Sequence, residues 1–137
     1  MNLSTILFEA HSGLRYLVIL VLVLALLKLL IGLVGGQRWS RLDHNLGVAT
    51  PLLITIQWLL GIVLWAVAPA AWFLNRGSVN FAEHAGTMTL AVAAAHIGWS
   101  RAKRSATDGA KFRTAFIGFL VAGLLVALGV ARITGWM

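Results

Sequence analysis

Four long apolar blocks, separated by short polar segments, dominate the chain. They run from about residue 14 to 34, 46 to 68, 82 to 99 and 112 to 133. Each block holds roughly 18 to 23 residues, and a helix needs about 20 apolar residues to cross the ~30 Å hydrocarbon core of a bilayer. The pattern therefore predicts an all-α polytopic membrane protein. We expect one membrane domain over residues 1–137, built as an antiparallel bundle of four transmembrane helices.

The beginnings of the first two blocks need separate interpretation. The first block is longer than the core of a signal peptide and has no convincing cleavage site, so we expect a retained membrane helix. The second block begins near Leu46 by hydropathy. An alternative start has Thr50 as N-cap and Pro51 at the first helical position. That start leaves roughly 18 residues, enough to cross a bilayer, and places His44 in the preceding loop.

Composition agrees with the hydropathy pattern and excludes several kinds of site. Hydrophobic residues make up 60% of the chain and charged residues 11%, which is too apolar for a soluble domain of this size. The chain has no cysteine, which excludes disulfides, thiolate ligation of haem and cysteine-ligated iron–sulfur clusters. The net charge of +7 comes from basic residues in the short loops, a pattern typical of membrane orientation rather than of nucleic-acid binding.

The loop charges predict which way the bundle faces. Seven of the eleven basic residues lie between blocks one and two or between blocks three and four: Arg38, Arg41, Arg101, Lys103, Arg104, Lys111 and Arg113. Cytoplasmic loops carry the excess of Lys and Arg, so we place these loops inside and both termini outside. Tryptophans mark the two interfaces, with Trp39 and Trp99 predicted at the inner one and Trp65, Trp72 and Trp136 at the outer one.

The four histidines then fall into two pairs by depth. His11 and His84 precede or begin outward-to-inward helices and lie at the outer side. His44 and His96 lie at the inner side. His84 and His96 are separated by about 18 Å along one helix, at 1.5 Å per residue. Two imidazoles at one depth on different helices are what a six-coordinate haem iron needs, so each pair is a candidate pair of axial ligands.

Other side chains near the outer pair have roles in this hypothesis. Arg15 lies one helical turn after His11 and would neutralise a haem propionate or a quinone oxygen. Met88 lies one turn after His84 and is a candidate second axial ligand. Each of these residues also has an ordinary structural role as an alternative. An interfacial histidine often bonds a carbonyl or a lipid headgroup, a methionine packs in a core, and an arginine extends its charged end to the membrane interface.

A metal ion without a macrocycle is a further possibility at the outer side. Glu9 and Glu83 accompany the two outer histidines, and such nitrogen and oxygen ligands suit zinc, iron or copper(II). Against this, Glu83 directly precedes His84 and points about 100° away from it on a helix. The same carboxylates fit equally well as groups that orient the imidazole rings.

Four segments together resemble a family of small bacterial four-helix membrane proteins known as cytochrome b-like. These are HSGLRYLVIL, QWLLGIVLW, EHAGTM and RAKRSATDGAKF. The resemblance implies a b-type haem inside the bundle, electron exchange with quinone or a partner, and a bacterial cytoplasmic membrane. It supports His11, Arg15 and His84, and also His96. One difference stands out, because the family carries a histidine shortly before the glutamine, where this chain has Thr55, Ile56 and Gln57.

Three hypotheses for function follow. The first is a membrane electron-transfer protein with one or two b haems that exchanges electrons with quinone or a redox partner. The second is a small accessory subunit of a respiratory or photosynthetic complex, its histidines binding pigment or lipid. The third, a carrier of metals or small solutes, ranks lowest because no intramembrane carboxylate marks a pathway. We expect an electron-transfer protein or subunit rather than a stand-alone catalyst, either a homo-oligomer or part of a larger membrane complex.

Overall fold

The structure, a computed structural model, describes residues 2–70 and 81–135. This part of the chain contains four long α-helices and no β-strand, which confirms the all-α prediction. Each apolar block coincides with one helix, extended by a turn or more at one or both ends. The helices are α1 (Leu3–Val34), α2 (Arg41–Val67), α3 (Phe81–Lys103) and α4 (Asp108–Thr134).

Three of these helices, α1, α2 and α4, are long and apolar enough to cross a membrane. They have 32, 27 and 27 residues. The shorter α3, with 23 residues, is the least apolar of the four because it carries two histidines, a glutamate and several threonines and glycines. Membrane-spanning character is therefore established by length and composition for three of the four predicted spans.

The second helix begins earlier in the chain than either of the two starts predicted from its sequence. Ser40 is the N-cap, and its side chain accepts a hydrogen bond from the Asp43 backbone N–H while the Asp43 carboxylate accepts from the Ser40 backbone N–H. Such a capping box satisfies two backbone donors at once. The alternative start at Thr50 and Pro51 is therefore wrong. The helix continues through Pro51, and His44 lies on the helix rather than in a loop.

The four helices form a closed ring in chain order. Each helix packs against its neighbours in the sequence, and α4 closes the ring against α1. Residues near the start of one helix contact residues near the end of its neighbour, as His11 does with Gly61 and His84 with Gly129, so neighbouring helices are antiparallel. Hence α1 and α3 are diagonal partners that face each other across the middle of the bundle. We call the end with the starts of α1 and α3 the outer end, and the opposite end the inner end.

The closest helix contact joins α3 to α4 at a pair of glycines. A Cβ atom added to Gly98 would lie 2.7 Å from the Cα of Gly118. Ala95 and Ala122, each one turn away along its helix, are fully buried. Small residues allow helices to approach closely, and the small residues at this contact have that packing role.

Aromatic side chains fill the interior at the inner end. Phe112 is completely buried and Trp99 nearly so. Their rings pack on Trp39, with centroids 5.0 Å and 6.2 Å from it respectively. Gly32 and Gly47 provide the space, because a Cβ at either would collide with the ring of Phe112 or Trp99. The inner end is therefore a solid plug of aromatic rings.

Candidate functional site

The outer end of the bundle encloses a cavity of about 590 Å³, to which all four helices contribute. Most of its wall is apolar, formed by residues such as Phe8, Val18, Ile54, Trp65, Val126 and Val130. The polar lining groups are few and come chiefly from α1, α2 and α3: His11, Ser12, Arg15, Gln57 and His84. An apolar cavity of a few hundred Å³ with a few convergent polar groups is the usual form of a small-molecule or cofactor site.

His11 is held against α2 by a reciprocal pair of hydrogen bonds. Its Nδ1 lies 3.1 Å from the backbone carbonyl oxygen of Gln57, and the Gln57 Nε2 donates to the backbone oxygen of His11 at 2.6 Å. A carbonyl oxygen only accepts, so Nδ1 carries the proton. In the neutral ring Nε2 then holds a free lone pair. Gly61 makes room, since a Cβ there would lie 2.9 Å from His11 Cε1.

His84 is oriented in the same way from α3. Its Nδ1 lies 3.2 Å from the backbone oxygen of Gly129 on α4, which again places the proton on Nδ1. The Nε2 of the neutral ring is left unprotonated. A histidine whose Nδ1–H bonds a carbonyl is the usual arrangement of a metal-binding imidazole, because that bond fixes both the tautomer and the ring orientation.

The two outer histidines come together across the diagonal of the bundle. Their ring centroids are 6.3 Å apart and the ring planes are nearly perpendicular, at 86°. A ligating imidazole nitrogen lies about 2 Å from a first-row metal ion and about 1 Å from its own ring centre, so two rings on opposite sides of one ion have centroids about 6 Å apart. The observed separation therefore accommodates a single shared ion.

Arg15 and Met88 both line the cavity, beside the histidines they follow by one turn. Arg15 is half-buried, and its Nη2 lies 3.3 Å from the hydroxyl of Tyr16. Among the described residues that line the cavity, it is the only lysine, arginine or acidic residue. The thioether end of Met88 packs against Gly129, the residue whose carbonyl orients His84. Both predicted residues thus belong to the site, Arg15 as its positive charge.

The carboxylates of the bare-metal hypothesis are placed elsewhere. Glu83 forms a two-pronged ion pair with Arg132 of α4, with Nε–Oε1 at 2.8 Å and Nη2–Oε2 at 3.0 Å. Glu9 is exposed on α1. Within residues 2–70 and 81–135 no group of three or more His, Asp or Glu side chains is placed to hold a metal ion.

Gln57 is a site residue that the sequence analysis did not single out. Its Nε2 is fixed by the bond to the His11 carbonyl, so the orientation of the amide is settled, and Oε1 is buried in the described structure with no hydrogen-bond partner. An unmatched buried acceptor is rare in folded proteins. The available signal was a lone amide in the middle of an apolar block, since polar groups inside membrane helices usually have a function.

The inner histidines have separate partners. His44 packs edge-on against Trp99, with ring centroids 5.2 Å apart. His96 is exposed on the outside of the bundle, and its Nε2 lies 2.7 Å from the hydroxyl of Thr55. Thr55 is eleven residues after His44, about 16 Å along α2. The structure therefore brings the outer pair together but gives each inner histidine a different neighbour.

A buried ion pair near the inner end was also missed. Asp43 is completely buried, and its Oδ1 lies 2.6 Å from Nζ of Lys28, while Oδ2 accepts from the Ser40 backbone and hydroxyl. The pair joins α1 to the first turn of α2, so it fixes the hairpin between them.

Comparisons of the chain with protein-family models, with curated proteins and with solved structures found no match. What the site is able to bind follows from its geometry. It offers two imidazole Nε2 lone pairs and one guanidinium, in a largely apolar cavity. Of the tryptophans predicted at the outer interface, Trp65 lines this cavity, whereas Trp72 and Trp136 lie outside the described residues.

Proposed function

We propose that the protein is a membrane electron-transfer protein that binds one b-type haem in the outer cavity, with His11 and His84 as axial ligands. The observation that carries the proposal is the pair of imidazoles on diagonal helices, each with Nδ1–H bonded to a backbone carbonyl and ring centroids 6.3 Å apart. A bound haem would supply reversible one-electron chemistry.

Haem fits this donor set better than a bare ion does. The macrocycle brings four equatorial nitrogens of its own and asks only two axial ligands of the protein, whereas zinc or copper(II) needs three or four protein ligands. The glutamate nearest the site, Glu83, is engaged with Arg132. Arg15 supplies a positive charge in the cavity wall for a propionate. Without cysteine the haem is not thioether-linked, hence the b type.

The proposal includes a complete four-span topology. The ring of helices packs α3 between α2 and α4, both of which are apolar enough to cross a membrane, so α3 crosses with them. At 23 residues it is about 34 Å long, enough for a ~30 Å core. The seven basic loop residues then face the cytoplasm, and both termini face the periplasm of a bacterial inner membrane.

Electron exchange requires a partner, which is a lipid-soluble quinone or another redox protein. A single haem at the outer end serves such exchange on the periplasmic side of the membrane. The aromatic plug of Trp39, Trp99 and Phe112 occupies the bundle interior at the depth of the inner histidines, so the proposal has one haem rather than two.

The test is a reduced-minus-oxidised absorption spectrum of protein purified in mild detergent from cells that make ample haem. We expect sharp α and Soret bands of low-spin haem, lost in His11→Ala and in His84→Ala alike. The matched controls His44→Ala and His96→Ala should keep both bands. Loss in only one of the outer variants would favour a pigment held by a single imidazole. A folded but colourless wild-type protein would overturn the proposal.

A further inference from the structure

The seam between α2 and α3 carries polar side chains on the outside of the bundle. His96 contacts Thr55 there, and the indole Nε1 of Trp58 donates to the hydroxyl of Thr89 at 2.9 Å. His96 and Thr89 are both exposed. With the membrane topology proposed above, on which this inference rests, the seam faces lipid. Polar groups in that position are costly and usually functional.

The hydrogen bonds of Thr55 fix the tautomer of His96. The Thr55 hydroxyl lies 2.7 Å from the carbonyl oxygen of Pro51 and 2.7 Å from Nε2 of His96. A carbonyl has no proton to give, so the single hydroxyl proton points to Pro51 and the imidazole donates from Nε2–H. In the neutral ring Nδ1 is then an acceptor, and it has no partner in the described part of the chain.

The depth of His96 limits what can satisfy this acceptor. In the proposed topology the basic residues at the end of α3 lie at the inner interface, and His96 is five residues, about 7.5 Å, before the first of them, Arg101. At that depth no bulk water is available. Phospholipids offer acceptors there, their ester carbonyls, but their own donors lie further out in the headgroups. A donor must come from a different membrane-dissolved molecule.

We propose that His96 Nδ1 accepts a hydrogen bond from the phenolic O–H of an isoprenoid hydroquinone, making the seam a quinol-binding site. A macrocycle ligated at its central metal is disfavoured, because Nε2 is taken by Thr55 and Nδ1 lies close to the helix backbone. An aromatic wall is nearby, since Trp58 lies one turn after Thr55 on α2. Trp58 also lines the outer cavity, where the haem is proposed to bind.

The experiment compares two ligands of the same shape. A short-tailed hydroquinone and its dimethyl ether, which lacks both O–H donors, are titrated anaerobically by calorimetry into the full-length protein in detergent micelles. We expect the hydroquinone to bind about tenfold more tightly than the ether, the effect of one good hydrogen bond. In His96→Phe that preference should disappear, and in Thr55→Val it should shrink because Nε2 loses its acceptor.

The matched control is His44→Phe, which makes the same substitution at the other inner histidine, also exposed but in contact with Trp99, and should keep the tenfold preference. The spectrum of bound haem should be unchanged in His96→Phe, so a failure of this proposal is distinguishable from a failure of haem binding. Equal affinity of the wild type for the two ligands would overturn the quinol site. So would a preference that survives in His96→Phe, or one abolished by His84→Ala instead, which would place the ligand in the outer cavity.

Discussion

The two ends of this bundle start from the same residue types and reach opposite results. Each end has two histidines that the sequence places at one depth, and glycines on the facing helices. At the outer end Gly61 gives room to an imidazole, and the nearly perpendicular rings of His11 and His84 come together in the wall of a cavity. At the inner end Gly32 and Gly47 receive aromatic rings and the interior is filled. Pairing by depth is therefore necessary for a shared ligand site but is not sufficient.

The ends also differ in how they use charge. The inner ion pair between Lys28 and Asp43 joins two helices and is tied to the cap of α2, with the carboxylate wholly buried. The outer pair between Glu83 and Arg132 is half exposed. Exposed pairs contribute about 0–1 kcal/mol, whereas removing one partner of a buried pair costs about 3–5 kcal/mol. The inner ion pair therefore contributes more to stability than the outer one, and the outer end keeps an open cavity in its interior.

The largest effect on stability is expected when a ring of the aromatic plug at the inner end is removed. Trp99→Ala deletes a nearly buried indole that packs on Trp39 and His44, and we expect a loss of about 3–5 kcal/mol in the free energy of unfolding. Trp65→Ala at the outer end, 46% exposed, is the control and should cost about 1 kcal/mol or less. Both are measured by unfolding in mixed micelles. Equal losses would show that the two ends are packed alike.

Filling the outer cavity should have a smaller effect on stability and a clear one on binding. A methyl group in Gly61→Ala would press on His11, and after the helix-propensity gain of alanine we expect a net loss of about 1 kcal/mol. Haem affinity, measured by titrating haem into apoprotein, should fall about tenfold because the imidazole is displaced. Gly86→Ala is the control, since nothing lies within 4 Å of a Cβ there, and it should bind haem normally. Unchanged affinity in Gly61→Ala would contradict the assignment of His11.

The outer pairing of histidines was predictable from the sequence, but the direction in which each histidine points was not. Apolar blocks and loop charges fix where a residue lies along a span, and they correctly paired His11 with His84. Rotation about the helix axis is normally read from an apolar stripe. In a membrane bundle the lipid-facing side is as apolar as the core, so that signal is absent. His96 accordingly faces outward, where an inner ligand had been expected.

Partners across the fold were equally hidden from the sequence. Lys28 and Asp43 are separated by a turn whose path decides whether they meet, and no periodicity encodes it. Gln57 bonds His11, a residue 46 positions away on another helix. The helix starts were predicted less well than the existence of the helices, because α1 begins at Leu3, eleven residues before its apolar block, and α2 begins about a turn early at the Ser40 capping box.

The smallest expected effect concerns the outer ion pair and is best measured as a coupling energy. In a double-mutant cycle of Glu83→Gln and Arg132→Gln we expect about 0.2–1 kcal/mol at low salt, since both side chains are substantially exposed. Raising the ionic strength from 0.01 M to 1 M shortens the Debye length from about 30 Å to about 3 Å, so the coupling should largely vanish. The same cycle on Lys28 and Asp43 should keep most of its coupling in high salt, because Asp43 is shielded from the solvent. A salt-resistant coupling at the outer pair would mean that Glu83 and Arg132 are shielded from solvent as well as Lys28 and Asp43 are, and that the two ends do not differ in this respect.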